Sequence, residues 1–180
     1  MLTLDEIKDS IRQVPNFPKP GIQFLDITTG VKNPEVFNAM IEFLYEKYKS
    51  KKIDYIAGIE SRGFIFGAPL ALKLGVGFVL MRKPNKLPAE TISETYDLEY
   101  GSSTIHMHKD AIEKGARVVV IDDLLATGGT AVAACNLVKK AGGVVDSAAF
   151  IIELTPLKGA DKIKSVAGVD TVSMLKYDLD

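Results

Sequence analysis

Apolar and polar residues alternate along this chain with a period that changes from segment to segment, and the changes predict the elements. Leu4, Ile7 and Ile11 share one helical face behind a Thr3/Glu6 capping box, so a first helix is expected, its pattern closed by Pro15. Asn16-Phe17-Pro18-Lys19-Pro20-Gly21 cannot be regular helix, because its prolines lack donors and fix φ. Asn33 as N-cap and Pro34 at the first helical position open a second helix. Its buried stripe is Val36, Phe37, Met40, Ile41, Leu44 and Tyr48; Glu42, Glu46 and Lys47 face water. Two short apolar runs, 55–59 and 77–81, then flank a helical stretch that ends at Gly75, with Pro69 predicting a kink or a late start. The β-branched run 118–121 suits a strand covered on both faces. A helix over 130–141, capped by Gly142-Gly143, and strands over 144–154 and 169–175 complete the series. Strands alternating with helices predict an α/β fold with a mostly parallel central sheet flanked by helices, in one domain over 1–180.

The segment 82–101 breaks the alternation. It is polar, holds Pro84 and Pro88, and carries Lys83, Lys86, Glu90, Glu94 and Glu99. Long loops in compact domains are commonly lids or binding loops. Tyr96, Leu98 and Tyr100 alternate with Asp97 and Glu99, and Ile105 and Met107 alternate beyond Gly101, so a mobile hairpin is expected.

Composition narrows the function. Over 180 residues, 22 basic and 23 acidic side chains leave a net charge of −1, which gives no overall pull toward nucleic acid. A single cysteine excludes a disulfide framework, and no apolar run approaches the ~20 residues that span a bilayer. The acidic start lacks the layout of a signal peptide, so an intracellular, cytoplasmic protein without a membrane partner is expected.

The chemistry concentrates in Val118-Val119-Val120-Ile121-Asp122-Asp123-Leu124-Leu125-Ala126-Thr127-Gly128-Gly129-Thr130. A buried strand runs into two carboxylates, then a Gly- and Thr-rich loop, then a helix. At the carboxyl end of a parallel strand, α/β proteins place ligands. The glycines let backbone N–H groups approach an anion, and the helix N-terminus adds a positive dipole. No Gly-Lys-Ser/Thr follows, and there is no Gly-x-Gly-x-x-Gly, so neither common nucleotide loop applies. Carboxylates repel phosphate but accept hydrogen bonds from a diol. Asp122 and Asp123 beside a phosphate loop of Ala126, Thr127, Gly128, Gly129 and Thr130 therefore suit a ribose 5-phosphate.

Residues 118–130 resemble the signature of type I phosphoribosyltransferases, which bind 5-phosphoribosyl 1-pyrophosphate. The likeness runs along nearly the whole chain, toward the members that act on adenine. Residues 17–27 are similar to the N-terminal hood (1–33) that surrounds the base, which implies Gln23, Phe24 and Leu25 as the adenine contacts, through backbone groups and stacking on Phe24. Residues 53–64 resemble the pyrophosphate turn, implying Arg62. Arg82-Lys83, Lys86-Leu87-Pro88 and 96–101 resemble a catalytic lid hairpin (82–107), implying Arg82, Lys83 and Lys86 on pyrophosphate and Glu99 as general acid/base. Two residues depart from the pattern: Leu25 stands where many relatives carry Arg, and Glu60 where others have Asp.

The resemblance implies a purine-salvage transferase that joins adenine and phosphoribosyl pyrophosphate to give AMP and pyrophosphate. It also implies magnesium held mainly by the substrate with no direct protein ligand, and a homodimer in which Arg82 reaches the neighbouring site. Xanthine or another oxopurine is the rival base. A non-catalytic, DNA-binding regulator of the same fold is the rival class, for which the chain shows no added domain and no basic excess. His106 and His108 alternate onto one strand face, but with no third ligand in view they read as a satisfied or exposed pair. Cys135, among Ala131, Ala134 and Val138, reads as a small core residue.

Overall fold

A computed structural model describes residues 2–98 and 101–179. The main sheet has five parallel strands in the order β4-β3-β7-β8-β9: β3 (Tyr55–Ile59), β4 (Gly77–Met81), β7 (Arg117–Leu125), β8 (Val144–Leu154) and β9 (Thr171–Tyr177). Both its faces are covered, which explains the β-branched run. Val118 and Val120 pack with α5 (Gly129–Lys140), whereas Val119 and Ile121 pack with α3 (Pro34–Tyr48) and α4 (Arg62–Leu74). Asn33 caps α3 by accepting from the N–H groups of Glu35 and Val36, and the expected stripe is buried apart from the half-buried Phe37. Gly75 ends α4 in the left-handed conformation at φ +70°. The helix runs from Arg62 through Pro69, so the late start weighed for Pro69 does not occur.

The N-terminal segment departs from expectation. Helix α1 (Leu4–Asp9) has its capping box but stops at Ser10, and Leu4 is half exposed. The residues beyond form strand β1 (Arg12–Pro15), antiparallel to β2 (Gln23–Asp26). Ile11 is buried all the same, because it packs between this ribbon and the short helix α2 (Thr28–Lys32), where a side chain at Gly30 would stand 2.8 Å from its Cδ1. The hairpin expected beyond residue 82 is present as β5 (Thr91–Leu98) and β6 (Gly101–His108), a separate antiparallel pair. It is tied to α5 by Lys140 Nζ, which donates to Ser93 O at 2.8 Å and Glu94 Oε2 at 2.9 Å. Among the described residues no helix is long and apolar enough to cross a membrane.

Candidate active site

The crevice lies where the chain order of the sheet reverses. From β3 the chain steps outward to β4; from β7 it steps the other way to β8 and β9. Ligands of open α/β sheets bind outside the carboxyl ends of the strands at such a point. Here β3 runs into Glu60-Ser61-Arg62, and β7, which carries the acidic pair near its end, into the glycine loop.

The two turns are pressed together because Gly63 has no side chain. A Cβ there would come within 2.6 Å of the Ile121 carbonyl oxygen, so only glycine lets α4 start against β7. This places Arg62 Nε 2.5 Å from Asp123 Oδ2. Asp123 is buried, while the arginine side chain is half exposed, with Nε its one engaged nitrogen among the described residues. Asp122 and Asp123 lie within β7, not after it, so they point to different sides of the strand. Asp122 accepts from the Asp123 N–H at 2.9 Å. Burial, and then the charge of Asp123, push the Asp122 carboxyl well above the usual carboxylate range, against a smaller pull from Arg62.

Beyond β7 the loop turns through Gly128 at φ +83°, which is the N-cap of α5. Glycine offers no capping side chain, so the first-turn N–H groups stay available to a ligand. Asp122, Ala126, Thr127, Gly129 and Thr130 line a small cavity of about 90 Å³ there. Gly128 rests on Gly159, whose carbonyl oxygen would be 2.7 Å from a Cβ at position 128. In turn, a Cβ at Gly159 would meet the Ala126 carbonyl at 2.3 Å. The loop is thus buttressed from behind by α6 (Gly159–Lys162).

The β1–β2 ribbon and the segment it encloses supply an apolar wall. Phe17, Phe24, Leu25 and Ile27 line a cleft of about 460 Å³ that reaches Arg62. Phe24 meets Phe17 edge to face at 5.1 Å. Gln23 is not on the cleft; its amide donates to Gln13 Oε1 at 3.1 Å. A larger cavity of about 1180 Å³ lies between α1 and α3, but its lining sets Glu6, Glu35, Glu42 and Glu46 against Lys47 alone, a balance that repels phosphate.

Of Arg82, Lys83 and Lys86, Arg82 is engaged within its own chain. It donates to both Glu60 oxygens at 3.2 and 3.3 Å, and the Lys83 N–H adds a bond to Oε2 at 2.9 Å. Burial works to raise the Glu60 carboxyl, but Arg82, the Lys83 N–H and the charge of Lys86 outweigh it and hold it low. The longer arm of Glu60 thus reaches across to the end of β4. Lys83 and Lys86 are exposed. Glu99 and Tyr100 lie outside the described residues. His106 Nδ1 shares a hydrogen bond with Thr91 Oγ1 at 3.2 Å and His108 Nε2 accepts from the Ala89 N–H at 3.4 Å. Among the described residues no three His, Cys, Asp or Glu side chains form a metal cage.

Sequence reasoning missed Val14 and Thr28 on the cleft, and Gly159 and Lys162 behind the loop. No local signal marks them, because non-local packing alone brings them to the site.

Residues 29–177 match the model of the phosphoribosyl transferase domain. The chain is 54% identical over 176 residues to the adenine phosphoribosyltransferase of Caldanaerobacter subterraneus subsp. tengcongensis, covering 98% of this chain and 100% of that one. The crystal structure of adenine phosphoribosyltransferase from Thermoanaerobacter pseudethanolicus is similar at a TM-score of 0.93 and 54% identity, covering 97% of this chain and 100% of that one. The Saccharomyces cerevisiae enzyme, solved with D-2,5-dideoxy-2,5-imino-altritol 1,6-bisphosphate and adenine, is similar at 0.88 and 43%, covering 96% and 98%.

Proposed function

Because the chain belongs to the phosphoribosyltransferase family, we infer that it transfers the 5-phosphoribosyl group of phosphoribosyl pyrophosphate to adenine, giving AMP and pyrophosphate in purine salvage. One observation carries the reading: an apolar cleft walled by Phe24 and Leu25 meets Arg62, and Arg62 meets Asp123 on the strand that leads into the glycine loop. Base, ribose, pyrophosphate and 5-phosphate each find a matching neighbour.

The roles follow from the chemistry. The free N–H groups and hydroxyls at Ala126, Thr127, Gly128, Gly129 and Thr130 hold the 5-phosphate, and Asp122 and Asp123 accept from the ribose hydroxyls. Arg62 spends only Nε on Asp123, so both Nη groups face pyrophosphate oxygens. Adenine stacks on Phe24, with β2 backbone near Leu25 reading its edge. As the C1–O bond breaks, its electron pair leaves with pyrophosphate and the ribose gains oxocarbenium character, which the two carboxylates favour. The purine nitrogen forms the C1–N bond, and Glu99 takes its proton. Lys83 and Lys86 approach the departing pyrophosphate. Magnesium brought in with the substrate would supply positive charge that offsets the charge of the leaving group. The donor set fits that mode, since Asp123 is already paired with Arg62.

We further propose a homodimer in the cytoplasm. On α4 and the edge strand β4, Leu72 at 84% and Leu80 at 40% exposure are large apolar side chains left uncovered in the single chain, and Arg82 follows β4 directly. On assembly Arg82 exchanges Glu60 for the partner's pyrophosphate.

Incubating the purified chain with adenine, phosphoribosyl pyrophosphate and magnesium tests the function. AMP and pyrophosphate should appear in equal amounts, and no AMP would overturn it.

A further inference from the structure

The phosphate loop contains no cation. Ala126, Thr127, Gly128, Gly129 and Thr130 offer N–H groups, two hydroxyls and the N-terminus of α5, whose dipole is equivalent to about half a charge. A phosphate monoester carries about −1.5 to −2 at neutral pH. The missing charge stands beside the loop. Lys162 Nζ lies 3.8 Å from the point where a side chain would begin at Gly129, close to where Tyr96 and the Asp97 carbonyl of the lid hairpin also approach. Among the described residues this ammonium has no ion pair, hydrogen bond or aromatic ring as partner, whereas Lys139, Lys140 and Lys164 nearby all do.

Its position is fixed on both sides. Three residues earlier, Gly159 sits against the Ala126 carbonyl and Gly128. One residue later, the fully buried Ile163 anchors the chain in the core cluster that holds Leu125. Lys162 N–H donates to the Lys158 carbonyl at 3.1 Å, closing the turn between these anchors. The stem is therefore held by the same contacts that shape the phosphate loop, and only the flexible end must move to reach a bound anion.

We propose that Lys162 is a 5-phosphate-binding residue, supplying the full positive charge that the loop lacks; this rests on the reading of 126–130 as the phosphate loop. A lysine suits the place as a compact point charge with rotatable donors, where an anion is already oriented by backbone N–H groups. Its solvent exposure keeps the effect moderate, and a charge-assisted contact of this kind corresponds to roughly 5- to 20-fold in affinity.

The test compares ligands with and without the phosphate. Dissociation constants for AMP and adenosine are measured by calorimetry on the full chain and on Lys162→Met, Lys162→Arg and a loop variant, Thr127→Ala with Gly129→Val. Lys162→Met should weaken AMP by that factor and leave adenosine and the melting temperature unchanged, and Lys162→Arg should restore most of the AMP affinity. Equal weakening of AMP and adenosine would overturn the proposal, because the effect would not lie at the phosphate. AMP binding unchanged in Lys162→Met but lost in the loop variant would overturn the role of Lys162 alone. AMP binding unchanged in both would overturn the phosphate loop as well.

Discussion

Replacing Gly159 by alanine should damage the phosphate loop from behind, without changing any residue assigned to substrate contact. The new Cβ would stand 2.3 Å from the Ala126 carbonyl oxygen and 2.7 Å from Leu125 Cδ1, where unstrained contacts begin at 3.4 Å. The carbonyl that opens the loop must therefore retreat by about 1 Å, since Leu125 and the buried α6 junction leave the methyl no other way out. Overpacking of this sort costs about 1–3 kcal/mol, and at this chain length each kcal/mol lowers Tm by roughly 2–4 °C. A misplacement of about 1 Å in groups that position a substrate can cost on the order of 100-fold in rate. Thermal unfolding and steady-state kinetics with varied phosphoribosyl pyrophosphate measure the two effects. Gly168→Ala is the control: Gly168 has φ +68° and nothing within 4 Å of where a methyl would stand, so alanine there strains the backbone but clashes with nothing. Both variants should lose stability, and only Gly159→Ala should lose kcat/KM for phosphoribosyl pyrophosphate. Kinetics unchanged in Gly159→Ala, or equally impaired in Gly168→Ala, would refute the buttress.

Three further outcomes are expected. The Asp122 carboxyl is held above its ordinary 3.8, so the native state binds its proton more tightly than the unfolded chain does. The charged form is thus a cost above the raised value and no cost below 3.8, so Asp122→Asn should raise the ligand-free Tm at pH 7–8, lose that gain toward pH 4, and weaken phosphoribosyl pyrophosphate binding; a lower Tm at pH 7–8 would contradict it. Glu99→Gln should lower kcat by roughly 10²–10⁴-fold with little change in substrate affinity, and an unchanged kcat in rapid-quench assays would remove Glu99 from proton transfer. Mixing Arg82→Ala with the Thr127→Ala, Gly129→Val variant and letting subunits exchange should restore activity, because one site per heterodimer then carries no lesion; inactive heterodimers would confine Arg82 to its own chain.

The parts of this molecule that were legible in the sequence are those whose causes are local. The β-branched run before Asp122 and the Asn33–Pro34 start of α3 carry their signals within a few residues, and both elements form as expected. The hood was harder. Ile11 fits a helical stripe after Leu4 and Ile7, yet Arg12–Pro15 pairs with Gln23–Asp26 across an intervening turn, and the burial of Ile11 satisfies either arrangement. Helix α2 has no capping side chain and contains Gly30, so propensity argues against it; close packing on Ile11 and Met40 selects that glycine. At the site, Asp122, Asp123 and the glycine loop form one continuous motif, and their grouping followed from chain order. Arg62 reaches them only because Gly63 permits contact with β7. Glu60, noted for its length, turns out to hold Arg82. Gly159 and Lys162 lie some thirty residues beyond the loop with no motif around them, and packing alone reveals them.

Transfer of phosphoribose to adenine in preference to other purines is the central expectation for this site. Its most direct test is one reaction containing equal concentrations of adenine, hypoxanthine, guanine and xanthine with limiting phosphoribosyl pyrophosphate and magnesium, the nucleotide products being resolved by mass. A site that hydrogen-bonds the exocyclic amine faces an unpaired acceptor when given an oxo base, so AMP should exceed each other product by at least ~10²-fold. An oxopurine nucleotide as the main product, or no nucleotide at all, would contradict it.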